Sequence, residues 1–452
     1  MITRVIVFGA LGDLMRRYLA PALVDLHAAR AVPEELSVTG AGRDDLTDDE
    51  YRGTIADALD RHVPDADPHA TERLLRRLRY VRADATEAGD VSRATEPERG
   101  PFLAYLALPP HVFGAAAAAL AEAGFPDGSQ LVVEKPFGHD RDSARTLNEE
   151  IHRRIPESRV FRIDHFLGMQ TVQNVLGLRF GNRLLEPLWN CHHVKRVEIV
   201  WDETLTVEGR AFYDDVGAVR DVIQNHLLQL LCLVGMEPPA SLAPRELRDR
   251  KVQLLRDVRP PDRTAAERAV RGRYTAGTVG GRAVPGYTED SRVDAARATE
   301  TFAEIELRID NWRWSEVPIV LRTGKALARD RKEVLVTFRP VPHGTFTAAP
   351  DLPNVLRLEL EPERLALAVN VNAPGERYEL ERIELDRDLA TGPLGAYARV
   401  LLAALHGDPT LSIRDDEVEA SWEIVDPLLG AWADGAAPLR EYPAGSAGPE
   451  RA

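Results

Sequence analysis

Arg4-Val-Ile-Val-Phe8, then Gly9-Ala-Leu-Gly12-Asp13, then a helical pattern over residues 14–29 open the chain. The short apolar run has the length and β-branched content of a strand buried on both faces. A glycine turn leading from such a strand straight into a helix lets the backbone approach a pyrophosphate, whose charge then faces the helix N-terminus. Gly9-x-x-Gly12 falls short of the full GxGxxG fingerprint, and taken alone a structural turn explains it comparably well. Its place at the head of a strand–helix alternation favours the dinucleotide-binding reading.

That alternation continues. Residues 36–40, 102–108 and 130–134 read as strands, and helical patterns at 47–60, 112–123 and 141–154 separate them. Strands alternating with helices predict a doubly wound parallel sheet. Arg43 lies just past the second strand. An acid there would suit the ribose hydroxyl of NAD and an arginine the 2′-phosphate of NADP, so Arg43 favours NADP while Asp44 and Asp45 blur the choice. From residue 194 the grammar changes. A strand at 194–201 and an apolar helix at 219–234 precede strand-like runs at 300–310, 317–322, 333–338, 355–361 and 365–371 with short connections. Such runs predict a largely antiparallel sheet and an α+β second domain, closed by helices at 393–405 and 415–433. The Pro-, Gly- and Ala-rich tail from Asp434 reads as an extended arm or a partly disordered end.

Composition narrows the classes. The 452 residues exceed what a single core usually serves, so two domains are expected. The net charge of -15 argues against nucleic acid or anionic lipid as a partner, and it means that an anionic substrate needs a local basic pocket. Cys191 and Cys232 are too few for a disulfide framework, and no apolar run approaches the roughly 18 residues of a membrane span, so a cytoplasmic protein is expected. His192-His193 alternate in direction on an extended chain and lack companion ligands. They read as structural, and no metal site is expected.

Eight stretches in order carry a resemblance: Phe8-Gly-Ala-Leu-Gly-Asp-Leu14, Tyr105-Leu-Ala-Leu-Pro-Pro110, Glu134-Lys-Pro-Phe-Gly138, Arg162-Ile-Asp-His165, Val172-Gln-Asn174, Leu178-Arg-Phe180, Arg220-Asp-Val-Ile-Gln-Asn-His226 and Arg322-Thr-Gly-Lys-Ala326. Together with Tyr442-Pro-Ala-Gly-Ser446 they make nearly the whole chain resemble the glucose-6-phosphate dehydrogenase family, especially its bacterial members. The fold this implies is a Rossmann-type α/β N-terminal domain over residues 1–160. An α+β domain with a large, mainly antiparallel sheet follows over 161–452, for substrate binding and dimerisation, its last ~18 residues an arm or tail.

The resemblance also implies roles. His226 becomes the base that takes the C1 hydroxyl proton of a pyranose, a task suited to a histidine of tuned pKa, and Asp164 becomes the orienter of its imidazole. Asp164 can equally cap the helix that follows it. Lys135, His165, Glu203, Asp221 and Lys325 become substrate contacts, carboxylates accepting sugar hydroxyls in pairs; surface charge is the commoner fate of such residues. Gly9, Leu11, Gly12, Asp13, Leu14, Arg43, Pro109 and Lys135 become cofactor contacts for NADP, or NAD. A homodimer or homotetramer in carbohydrate metabolism is implied too.

One site departs from the pattern. Where the family carries Asp-His-Tyr-Leu-Gly-Lys around the 6-phosphate, this chain has His165, Phe166 and Met169. A charge-assisted hydrogen bond is worth roughly 1.5–3 kcal/mol, so loss of the lysine weakens phosphate binding by about one to two powers of ten unless Arg329 or Arg331 substitutes. Asp330 fills the strictly aligned arginine position. The expectation is therefore an NAD(P)-dependent oxidation of a hexopyranose at C1 to its lactone. One alternative is the same chemistry on a hexose without the 6-phosphate, such as glucose or an amino or modified sugar of specialised metabolism. The alternative of another class is a non-catalytic cofactor-binding regulator.

Overall fold

In the computed structural model, which describes residues 1–96, 100–207, 213–343, 345–346, 352–375, 379–390 and 392–450, the opening apolar run forms β1 (Arg4–Phe8). Val5, Ile6, Val7 and Phe8 are all buried, as a strand covered on both faces requires. Its parallel companions are β2 (Ser37–Gly42), β3 (Leu78–Arg82), β4 (Leu103–Leu106), β5 (Gln130–Glu134) and β6 (Val160–Ile163). They pair in the order β6-β5-β4-β1-β2-β3, and a two-residue strand, Ser412–Ile413, runs antiparallel along β6. Phe8 is in register with Ala41 on one side and Leu106 on the other. Strand order reverses at β1 and β4, and in such sheets ligands bind at the carboxyl ends beside that switch point.

The chain forms two compact units. The first comprises Met1–Gln170, Pro239–Asp249 and Gly392–Glu419 and holds the parallel sheet. The expected helices at 47–60, 112–123 and 141–154 are found as Asp48–His62, Phe113–Glu122 and Arg141–His152. The first of them starts with a capping box between Thr47 and Glu50. The helix after the glycine turn begins as a π-turn over Met15–Leu19 and continues as an α-helix over Ala20–Ala28. A helix at Pro68–Arg77, β3 itself and a helix at Ala88–Thr95 fill a region in which the sequence reading placed no element. Helix Ala396–His406 packs on Ala20–Ala28 and on the turn that follows β6.

The second unit comprises Thr171–Pro238, Arg250–Thr391 and Ala420–Ala452. Its main sheet runs in the order Leu380–Asp388, Arg364–Asn372, Val355–Glu359, Arg331–Phe338, Val194–Asp202, Ile319–Gly324, Phe302–Ile309, Val270–Thr275 and Leu439–Pro443. Most pairs are antiparallel, as expected. The exceptions are Val194–Asp202 with Ile319–Gly324 and Val270–Thr275 with the C-terminal strand. That last pairing builds the tail into the sheet. Helical residues Val219–Leu227 pack on strands Val194–Asp202 and Ile319–Gly324, and the segment Leu228–Gly235 that continues them is buried all round. Among the described residues no helix is long and apolar enough to cross a membrane.

Candidate active site

In the first unit the predicted groups collect on one edge of the sheet, each at the carboxyl end of its strand. Gly9 has φ +85°, and a Cβ there would fall on the Ala107 carbonyl oxygen, so only glycine fits between the turns after β1 and β4. Gly12 N donates to Gly9 O at 3.0 Å and closes the turn. This cradle has the bare backbone that a dinucleotide pyrophosphate needs, and Asp13 stands exposed on it. Leu11 and Leu14 pack against the core of the unit. Arg43 is exposed directly after β2 and Pro109 precedes the 3-10 turn Pro110–Val112 after β4. Asp84 is held below the ordinary carboxylate range by its bonds from Thr86, and Arg43 adds to the effect.

β5 ends at Glu134, immediately before Lys135. The Tyr105 hydroxyl donates to the buried Glu134 carboxylate. Burial pushes the Glu134 carboxyl up to about 7, against the opposing pull of Tyr105 and Lys135 and with help from the charge of Asp164.

β6 ends at Asp164, whose Oδ1 accepts from Phe166 N at 3.0 Å and caps the 3-10 turn His165–Gly168. The His165 ring stacks on Tyr397, and Phe166 meets it edge-on with centroids 5.0 Å apart. Tyr397 in turn contacts Tyr18 at 5.0 Å. Phe166 is only 4% exposed and belongs mainly to the core, while Met169 is half-buried. Arg399 Nη1 donates to Gly168 O at 3.5 Å, which brings a guanidinium beside the turn that ends at Met169. Sequence reasoning missed Tyr397 and Arg399. They lie in a helix it did predict, but the periodicity says nothing about what such residues stack on.

In the second unit, Lys325 is buried and its ammonium engages the Glu203 carboxylate and lies 3.5 Å from Asp221 Oδ2. Asp221 and His226 share the Val219–Leu227 segment, a π-helix where the sequence reading expected a plain helix. The i→i+5 bonding of a π-turn brings residues five apart, such as these two, onto a common face, and π-turns recur at functional sites. His226 is 3% exposed. The far end of the helix is held by three side chains. Arg179 donates to Leu233 O and Met236 O, both at 2.8 Å, Trp189 Nε1 donates to Val234 O, and Trp314 Nε1 donates to Gly235 O. These satisfy the terminal carbonyls that a helix leaves without partners.

Arg329 and Arg331, the two candidate substitutes for the missing lysine, differ. Arg331 is paired with Glu333, and Asp330 accepts from Thr204 N and Oγ1, whereas Arg329 is exposed and makes no ion pair among the described residues.

A glycine-cradled nucleotide unit, joined in one chain to a unit bearing a Lys–Glu–Asp cluster and a buried histidine, defines an NAD(P)-dependent oxidoreductase acting on a CH–OH group. Comparison with known proteins makes the class specific. The family profile "Glucose-6-phosphate dehydrogenase, NAD binding domain" matches residues 6–174, and "Glucose-6-phosphate dehydrogenase, C-terminal domain" matches residues 176–452. Glucose-6-phosphate 1-dehydrogenase of Gluconobacter oxydans is 41% identical over 99% of this chain and 94% of its own length, and that of Treponema pallidum is 39% identical over 99% and 92%. A solved glucose-6-phosphate dehydrogenase in complex with glucose 6-phosphate superposes with TM-score 0.91 at 33% identity, covering 99% of this chain and 96% of that one. The Mycobacterium avium enzyme superposes at 0.88 with 36% identity, covering 99% and 95%. The chain belongs to the glucose-6-phosphate dehydrogenase family.

Proposed function

We propose that this protein oxidises C1 of glucose 6-phosphate to the δ-lactone and reduces NADP. The observation that carries the reading is the buried Lys325 ammonium held against Glu203 and Asp221, with His226 one π-turn along the helix from Asp221. The two carboxylates gathered on the shared cation can accept sugar hydroxyls. His226 takes the O1 proton as the C1–H bond breaks and the C1=O bond forms. Nicotinamide, when bound, supplies the acceptor for the departing hydride. Asp164, which the family resemblance casts as orienter of the imidazole, belongs to the other unit, and substitution tests its role.

Gly9, Leu11, Gly12, Asp13, Leu14, Pro109 and Lys135 are proposed to hold the cofactor, and Arg43 to favour the 2′-phosphate of NADP. Lys135 and His165 are proposed to contact the sugar phosphate, with Arg399 supplying charge where Met169 has none. Residues 1–160 are assigned to cofactor binding and 161–452 to substrate binding and dimerisation, in a cytoplasmic homodimer or homotetramer.

The test is kcat/KM for glucose 6-phosphate, glucose and a set of amino sugars, each with NAD and NADP. A clear preference for glucose 6-phosphate with NADP is expected. Equal or better turnover of an unphosphorylated hexose would overturn the substrate assignment, and cofactor binding without turnover of any hexose would overturn the enzymatic one.

A further inference from the structure

Three consecutive residues hold the backbones of both elements that carry the second unit's cluster. Thr299 Oγ1 donates to Asp214 O at 2.7 Å, at the start of the turn leading into the helix. Glu300 accepts twice, from Ala218 N on its carbonyl at 3.0 Å and from Val219 N on Oε1 at 3.1 Å. Thr301 O accepts from Lys325 N at 2.9 Å. On one side the segment therefore grips the first turn of the helix that bears Asp221 and His226. On the other it grips Lys325, the first residue after the strand Ile319–Gly324.

Two further observations show that the arrangement is built in. Gly217 has φ +72°, and a Cβ there would lie 2.6 Å from Glu300 Oε1, so glycine suits both the backbone conformation and the passage of the carboxylate. Tyr442, in the C-terminal strand, donates its hydroxyl to Lys325 O at 2.8 Å and lies 2.9 Å from Thr301 Oγ1. The tail beyond it continues the clamp, with Gly445 N donating to Ala326 O at 2.8 Å and Ala328 N to Ser446 O at 2.9 Å. Arg322 Nη2 also donates to Ala447 O at 2.8 Å. Glu300 is 6% exposed. An acidic group at a helix N-terminus both satisfies an orphan N–H and meets the positive end of the helix dipole.

We propose that Glu300 is a positioning residue and that Thr299-Glu300-Thr301, braced by Tyr442, fixes the Asp221 and His226 helix against the Lys325 loop. The Lys325–Asp221 separation of 3.5 Å is the quantity it sets. Because one residue step separates the two grips, a displacement of the segment shifts both partners, and a misplacement of about 1 Å can cost on the order of 100-fold in rate.

The experiment uses the full-length protein with Glu300→Ala, Glu300→Gln, Glu300→Asp and Tyr442→Phe. Its kinetic arm rests on the proposed dehydrogenase reading, and its exchange arm does not. Glu300→Ala is expected to lower kcat with glucose 6-phosphate by about 100-fold while the Kd for NADP stays unchanged. Glu300→Gln, whose amide oxygen can still accept from Val219 N, recovers most of that loss, whereas the shorter Glu300→Asp does not. Tyr442→Phe raises the KM for the sugar. In amide hydrogen exchange, Glu300→Ala loses protection over residues 217–227 and 322–328, and Glu300→Gln keeps it.

Wild-type kcat in a folded Glu300→Ala protein would overturn the proposal. If that variant does not fold, equal kcat for Glu300→Gln and Glu300→Asp would do so. If the wild type turns over no hexose, the function reading fails, and the exchange data decide the positioning role: unchanged protection in both segments overturns it.

Discussion

The imidazole of His165 lies flat on the phenol ring of Tyr397, with centroids 4.9 Å apart and planes 12° from parallel. The stack fixes the ring of a residue proposed to contact the sugar phosphate, because an imidazole held between Tyr397 and the edge of Phe166 has little freedom to rotate. Such a pair is worth about 0.5–1.5 kcal/mol, or roughly two- to tenfold in binding. Tyr397→Ala is therefore expected to raise the KM for glucose 6-phosphate by that factor, with Tyr397→Phe close to wild type. Steady-state kinetics check it, and an unchanged KM in Tyr397→Ala would remove the stack from the account of binding.

Met169 ends the turn at the position where the family resemblance implies a cation, and Arg399 reaches Gly168 O within the same turn. If Arg399 provides the phosphate charge, Arg399→Met raises the KM for glucose 6-phosphate by about one to two powers of ten, the worth of a charge-assisted bond, and leaves KM for unphosphorylated glucose alone. Met169→Lys is expected to lower the KM for the phosphorylated sugar, more strongly at low salt because the rest of the chain is acidic. Glucose 6-phosphate KM values at two ionic strengths decide both, and no change in either variant would place the phosphate elsewhere.

How far the sequence could be read follows from what each feature depends on. β1, the glycine turn and the buried strands β4 and β5 were legible because burial on both faces writes a continuous apolar run. β3 and the outer strand Leu380–Asp388 were not. Each carries charged residues at positions open to solvent, which leaves too few apolar positions for a period to emerge. The π-turns at Met15–Leu19 and Val219–Leu227 use the same residue types as an α-helix, so their i→i+5 bonding had no local signature. Between the two readings of the tail, an extended arm or a partly disordered end, its composition could not choose; the pairing of Leu439–Pro443 with Val270–Thr275 and the hydroxyl of Tyr442 hold it extended. Candidate residues that belong to motifs, such as Lys325 and His226, could be named from the sequence. Glu300 could not, because its meaning lies in a bond to Val219 across 81 positions.

Glu134 predicts a pH dependence of stability. Burial raises its carboxyl from an ordinary 4.5 to about 7, so between these values the folded chain holds a proton that the unfolded chain has released. The stabilising contribution is complete below about 4.5 and is lost as pH rises through about 7. Glu134→Gln cannot titrate. The difference in Tm between variant and wild type is thus expected to move in favour of the variant from pH 4.5 to 7 and then level off. A difference that stays constant across the window would mean that Glu134 is ionised throughout.

His226→Asn tests the proposed base directly. The substitution keeps a polar side chain in a buried position on the π-helix but removes the imidazole that can take up a proton. General-base catalysis contributes typically 10²–10⁴-fold, so kcat is expected to fall by about that much while the Kd for NADP, bound by the other unit, stays at its wild-type value. The acid limb of the kcat/KM profile should disappear with it, since that limb reports protonation of the base. For Asp164, proposed as the orienter, Asp164→Asn should give a smaller loss of kcat and shift the limb without abolishing it, because an orienting carboxylate does not itself accept the proton. Retention of both wild-type turnover and the acid limb in His226→Asn would assign the base to another residue.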